Sequence, residues 1–192
     1  MPLTTYTAGQ VLTASSLNAN LSFAAGAGGL VCVKAETALS GTSTVANNVF
    51  TSDYSNYLIL MRYTTTGSNS ISARMRVGGT SNSSANYNQQ SIVAVGAATS
   101  AGLTTADTSL QTCVQSGGAF WSSAEIKLFS PAVAEPTNFH IVNDPQLGAY
   151  TSLRYYSWVG NHNVATAYDG IEFFSAGTMA GTYAIYGFAK TV

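Results

Sequence analysis

From Leu30 onward the apolar residues of this chain recur at every second position, and that period constrains the fold more than any other feature. The clearest instance is "ISARMRV" (Ile71 to Val77): Ile71, Ala73, Met75 and Val77 point inward, and Ser72, Arg74 and Arg76 outward. "YLILMRY" (Tyr57 to Tyr63) is a second strong strand run, and "TTTGSNS" between them reads as a hairpin loop. The two strands are therefore expected to be antiparallel neighbours, with Arg62, Arg74 and Arg76 on one sheet face. Three such arginines form either a solvated outer face or a ring of ionic contacts to a neighbouring subunit.

Further strands are predicted at Val31 to Thr37, Asn88 to Gly96, Ser123 to Ser130, Thr137 to Asn143, Ser152 to Gly160, Asp169 to Ala176 and Gly181 to Ala189. Pro131, Pro136 and Pro145 all fall between these runs, where a missing amide donor costs nothing. Many short strands, turn-rich linkers and no interleaved helices define an all-β chain, expected as a jelly-roll-like antiparallel β-sandwich over residues 30–192.

The opening differs. "TAGQVLTASSLNANL" (residues 7–21) carries no charge and has helical spacing. Thr13 is a good N-cap whose hydroxyl can accept from the Ser16 amide. Leu12 and Leu17 have the spacing of a hydrophobic staple, and Leu21 continues the stripe. A short helix from about Ala14 to Ala25 is predicted, ended by "GAGG" (Gly26 to Gly29), which supplies a flexible joint. Helices shorter than roughly 12 to 15 residues are marginal alone, so this one must lean on something, either its own domain or another subunit. Residues 1–29 are accordingly read as a separate attachment or trimerisation segment built on Leu12, Thr13, Leu17 and Leu21.

Composition decides what kind of surface this fold carries. Of 192 residues 46% are hydrophobic, enough for a real core, but only 8% are charged, far below the usual quarter or so. Ser, Thr, Asn, Gly and Tyr fill the deficit. A formal net charge of -1 provides no field for phosphates, so nucleic acid is not an expected partner. Few surface charges favour association, as in a subunit of an assembly. Cys32 and Cys113 match no metal spacing and are read as buried small hydrophobes. The start lacks a basic region, and no stretch reaches the roughly 18 apolar residues of a membrane span, so neither a signal peptide nor membrane insertion is expected.

Reactive chemistry is sparse. His140 sits in a strand run and reads as a satisfied sheet residue, whereas His162 in "VGNHNVA" reads as a loop residue. Neither has a ligand partner at i+3 or i+4, no nucleophile elbow exists, and no loop gathers acids for calcium. Asp169 and Glu172 are the closest carboxylate pair. A non-enzymatic protein without cofactor or metal is expected. Aromatic rings remain as material for a site. In "RYYSWVG" (Arg154 to Gly160), Tyr156 and Trp158 share one face and Tyr155 the other, while "GGAFWSS" (Gly117 to Ser123) holds Trp121 near a glycine turn. "GGTSNSSANYNQQ" (Gly78 to Gln90) has the Asn, Ser and Tyr content that suits neutral glycans. Tyr87, Trp121 and Tyr155 are thus candidate receptor contacts, the alternative being that the rings are core and the long segment crosses between sheets.

The segment "YTAGQVLTASSLNANL" resembles the opening of many bacteriophage tail-fibre and related virion proteins, which begin with Thr-Ala-Gly-x-Val-Leu-Thr-Ala followed by Leu-Asn or Val-Asn. "YLILMRYTTTGSNSISARMRVGGTSNSSANY" and the closing "GTMAGTYAIYGFAK" are similar to strands of phage β-sandwich domains, and the three stretches make up about a third of the 192 residues. The resemblance implies an assembled, usually homotrimeric, virion part, put together in the host cytoplasm, whose partners are other virion proteins and a host-surface glycan. No long shaft separates opening and sandwich, so a compact tail fibre or spike is expected. A capsid decoration or head-fibre protein contacting only virion proteins is the alternative.

Overall fold

The computed structural model describes Thr13 and residues 29–113, 120–145 and 154–190. The predicted helix, with Leu12, Leu17 and Leu21, lies outside the described residues; Thr13 is exposed.

Eleven strands account for most of the described chain: β1 (Leu30–Ala46), β2 (Tyr54–Thr65), β3 (Ile71–Val77), β4 (Thr80–Ser81), β5 (Tyr87–Val95), β6 (Ala98–Asp107), β7 (Leu110–Cys113), β8 (Ser122–Phe129), β9 (Thr137–Asp144), β10 (Arg154–His162) and β11 (Gly170–Ala189). Every pairing is antiparallel. The larger layer runs β1-β11-β2-β8-β9-β10-β5-β6. The smaller layer is built on the first part of β11, which pairs with β3 from Gly170 to Ser175; β3 in turn carries β4 and β7. β7 lies against β8 and β9, so the two layers face each other as an antiparallel sandwich.

β11 makes this possible because it belongs to both layers, leaving β3 after Ser175 and joining β2 from Met179. Two glycines permit the change of partner. A Cβ at Gly177 would strike the Thr66 carbonyl, and Gly181 has φ +137 against the Arg62 carbonyl, a conformation and an approach closed to other residues. The sequence splits this strand in two at the same glycines.

Ile59, Met61, Ile126 and Ile141 of the larger layer meet Ile71, Met75, Leu110, Ile171 and Phe173 of the smaller one in a single core. Five tyrosines are also fully buried: Tyr57, Tyr63, Tyr87, Tyr168 and Tyr183. Four use their hydroxyls to tie other segments to the core. Tyr57 Oη accepts from the Thr51 amide (2.7 Å) and donates to its carbonyl (3.0 Å). Tyr63 accepts from Asn143 (2.9 Å), and Tyr168 from Asn82 (2.9 Å). Tyr87 accepts from the Met75 amide (3.0 Å) and donates to the Asn82 carbonyl (2.8 Å). A buried phenol supplies large apolar area and a hydrogen bond without a charge, which suits a chain this poor in charge.

Several expectations are corrected. β2 and β3 are not neighbours, because each pairs with a different part of β11. Arg62 therefore projects from the larger layer, where its guanidinium lies over Trp121. Arg74 and Arg76 project from the smaller one, Arg74 over Phe174 and Arg76 bonded to Asn47 (2.9 Å). His162 is not on a loop but closes β10, fully buried. Cys32 is exposed, opposite Tyr186 on β1; the side chain of Cys113 lies outside the described residues.

Candidate functional site

Strand alternation sorts the aromatic candidates. Tyr87 is an inward position of β5, where its ring packs fully buried and its hydroxyl is spent on Met75 and Asn82. The expectation of a receptor contact there is corrected: no surface ligand reaches this ring. Trp121 and Tyr155 are 42% and 47% exposed and project from the outer face of the larger layer. Tyr156 and Trp158 take the opposite face of β10, as their spacing predicts, with ring centroids 5.4 Å apart.

Beside Trp121 the outer face forms a groove of about 580 Å³ crossing β11, β2, β8 and β9. Register assembles it. Ala184, Leu60, Glu125 and Val142 form one row across the strands, while Thr182 lies opposite Arg62, Arg62 opposite Ser123 and Ser123 opposite Asp144 in the next. Tyr186 and Glu36 also line it, so that apolar and charged side chains are interspersed along the groove.

This concentration of charge is the groove's distinguishing property. The chain has seven basic and eight acidic residues. Glu36, Arg62, Glu125 and Asp144, four of these, line one groove. Arg62 is held upright by Trp121, its Cζ 3.9 Å from the ring centroid, a cation–π contact worth about 0.5–1 kcal/mol at an exposed site. Lys127 pairs with Glu125 at 2.8 Å. Carboxylates accept from hydroxyls, the guanidinium donates, and Trp121 with Tyr186 offers flat apolar surface. Alternation in "YLILMRY" placed Arg62 outward, but nothing local in the sequence signalled that Asp144, Glu125 and Glu36 would meet it.

A second polar cluster lies inside. His162 Nε2 is 2.6 Å from Tyr168 Oη, and its ring stacks on Tyr87 with centroids 4.0 Å apart. Burial holds its pKa below the ordinary histidine value, outweighing the Asn86 carbonyl. His140 behaves as a sheet residue, 3.3 Å from Ser157 Oγ. Asp169 and Glu172 are engaged separately. Asp169 accepts from the Gly78 amide (2.9 Å) and Glu172 from Ser43 (2.8 Å). Burial raises the Glu172 pKa, but bonds from Ser81 and Ser43 and the charges of Arg74 and Arg76 together bring it below the usual value. Among the described residues, no three His, Cys, Asp or Glu side chains are grouped to hold a metal ion, and no helix is long and apolar enough to cross a membrane.

No protein-family model matches this chain, and no curated protein matches it. Among solved structures it is similar to galectin LEC-6 of Caenorhabditis elegans, at 8% identity and a TM-score of 0.41 over 78% of this chain and 94% of that one. It is also similar to peanut lectin with a 9-residue peptide, at 7% identity and a TM-score of 0.29 over 85% of this chain and 93% of that one.

Proposed function

We propose that this chain is a non-enzymatic structural subunit of a bacteriophage particle, a compact tail fibre or spike. Residues 1–29 attach it, and a jelly-roll-like sandwich is displayed as a homotrimer. The observation that carries the reading is the opening segment, whose Thr-Ala-Gly-x-Val-Leu-Thr-Ala pattern resembles that of phage tail-fibre and virion proteins. Two features of the body support it. Its surface is poor in charge, so it can be buried in subunit contacts without stranding unpaired ions. Its charged groove beside Trp121 offers hydroxyl partners and ring surface suited to a host-surface glycan.

Gold-labelled antibodies against the sandwich, applied to particles of the virus that encodes the chain, test this reading. Label on the tail is expected. Label in hundreds of copies over the capsid would instead favour a decoration protein, and unlabelled particles would overturn the virion role.

A further inference from the structure

The charges of the groove beside Trp121 do not cancel. Glu36, Glu125 and Asp144 share it with Arg62, and Lys127 neutralises only Glu125, at 2.8 Å. Arg62 stacks on the Trp121 ring, which leaves its N–H groups open. Among the described residues neither Glu36 nor Asp144 has an ion-pair or hydrogen-bond partner.

Register holds these charges apart. From β2, Arg62 lies across β8 from Asp144, with Ser123 between them, and across β11 from β1, which carries Glu36. Adjacent strands are about 4.8 Å apart, so at the backbone each carboxylate stands roughly 10 Å from Arg62, on opposite sides of it. No ion pair closes either gap. Glu36 reaches the groove at a break in register between Lys34 and Thr37, the kind of bulge that re-aims a side chain.

We infer that the groove selects a glycan bearing a free ammonium group, as a sugar with an unacetylated amine does. This deepens the glycan-binding reading of the groove proposed above and rests on it. Charge complementarity carries the inference. An ammonium gains a charge-assisted hydrogen bond from Asp144 or Glu36, while hydroxyls of the same glycan pair with Arg62, Ser123 and Thr182. An acetamide in place of the amine leaves those carboxylates without an opposite charge. A uronic acid finds only Arg62, against two carboxylates that repel it. A lysine-rich peptide supplies the ammonium but not the row of hydroxyls, so the sugar is the fitting occupant.

Titration calorimetry of the purified full chain tests this, with a short glucosamine oligomer, its N-acetylated counterpart, an oligogalacturonate and an oligolysine as probes, at a pH that keeps amines and carboxylates charged. The glucosamine oligomer is expected to bind at least about tenfold more tightly than the N-acetylated one, and the preference should shrink as salt is raised. Asp144→Asn and Glu36→Gln should each reduce it several-fold. Glu135→Gln makes the same change of charge at an exposed position outside the groove and should leave it intact. Equal binding of the two sugar oligomers would overturn the ammonium inference and leave the glycan reading standing. Tighter binding of the oligogalacturonate or the oligolysine, or an equal loss in Glu135→Gln, would also overturn the inference. Binding of none of the probes would overturn it together with the glycan reading of the groove.

Discussion

His162 and Tyr87 are stacked in the core, planes 15° apart, and Nε2 of the same histidine meets Tyr168 Oη at 2.6 Å. Asn82 donates to the same phenol, and burial among these rings favours the neutral imidazole.

A pH dependence follows from this arrangement. The folded-state pKa of His162 lies below its unfolded value, so between the two the unfolded chain binds a proton that the folded chain refuses. Stability contributed by neutral His162 is complete above about pH 6.5 and declines on acidification from there, by at most about 1.4 kcal/mol per pH unit for one proton. Glu172 adds its loss only lower, as pH falls through the carboxylate range. Melting temperatures between pH 7.5 and 5.5 should therefore fall more steeply in the wild type than in His162→Gln; parallel profiles would refute this.

Two tyrosine-to-phenylalanine changes should diverge. Tyr87→Phe strands the buried Met75 amide and should cost about 1–3 kcal/mol in urea unfolding. Tyr183 is equally buried, but its hydroxyl has no hydrogen-bond partner among the described residues, so Tyr183→Phe should be neutral or stabilising. Equal losses would contradict the assignment of hydrogen bonds.

Gly160→Ala should be among the more damaging single substitutions in the sandwich. A Cβ there would meet the Asn88 carbonyl and lie 2.6 Å from Phe139 Cζ, so β10 could not keep its place between β9 and β5. Overpacking of this kind costs about 1–3 kcal/mol or more, read as a lowered denaturation midpoint.

Trp121→Ala and Arg62→Ala address the groove. Both side chains lie on the outer face, so stability should change by only about 0.5 kcal/mol, while on the proposed virion role adsorption of particles to host cells should drop at least several-fold. Unchanged adsorption with normal incorporation would remove the groove from host contact.

Sequence patterning is legible where burial enforces it, and fails where burial is absent or long-range. "ISARMRV" reads correctly because one of its faces is core. β6 escaped notice because both its faces are exposed, so nothing selects alternation in "ATSAGLTTAD". β11 read as two strands because Gly177 and Gly181 resemble a turn, although they serve a close approach instead. Tyr87, flanked by Asn and Ser, reads as a receptor contact, yet its hydroxyl anchors that segment to the core. The groove was the least legible part, since Glu36, Arg62, Glu125 and Asp144 meet only through β-sheet register across four different strands.

The most direct measurement of the central claim is incorporation of a truncated chain. Residues 1–29 are deleted, the sandwich is confirmed to be folded by circular dichroism, and, on the proposed virion role, the protein is quantified in purified phage particles. The account predicts that the full chain is present and that the truncated chain is lost from the particles. Incorporation of the truncated chain at the normal level would contradict it.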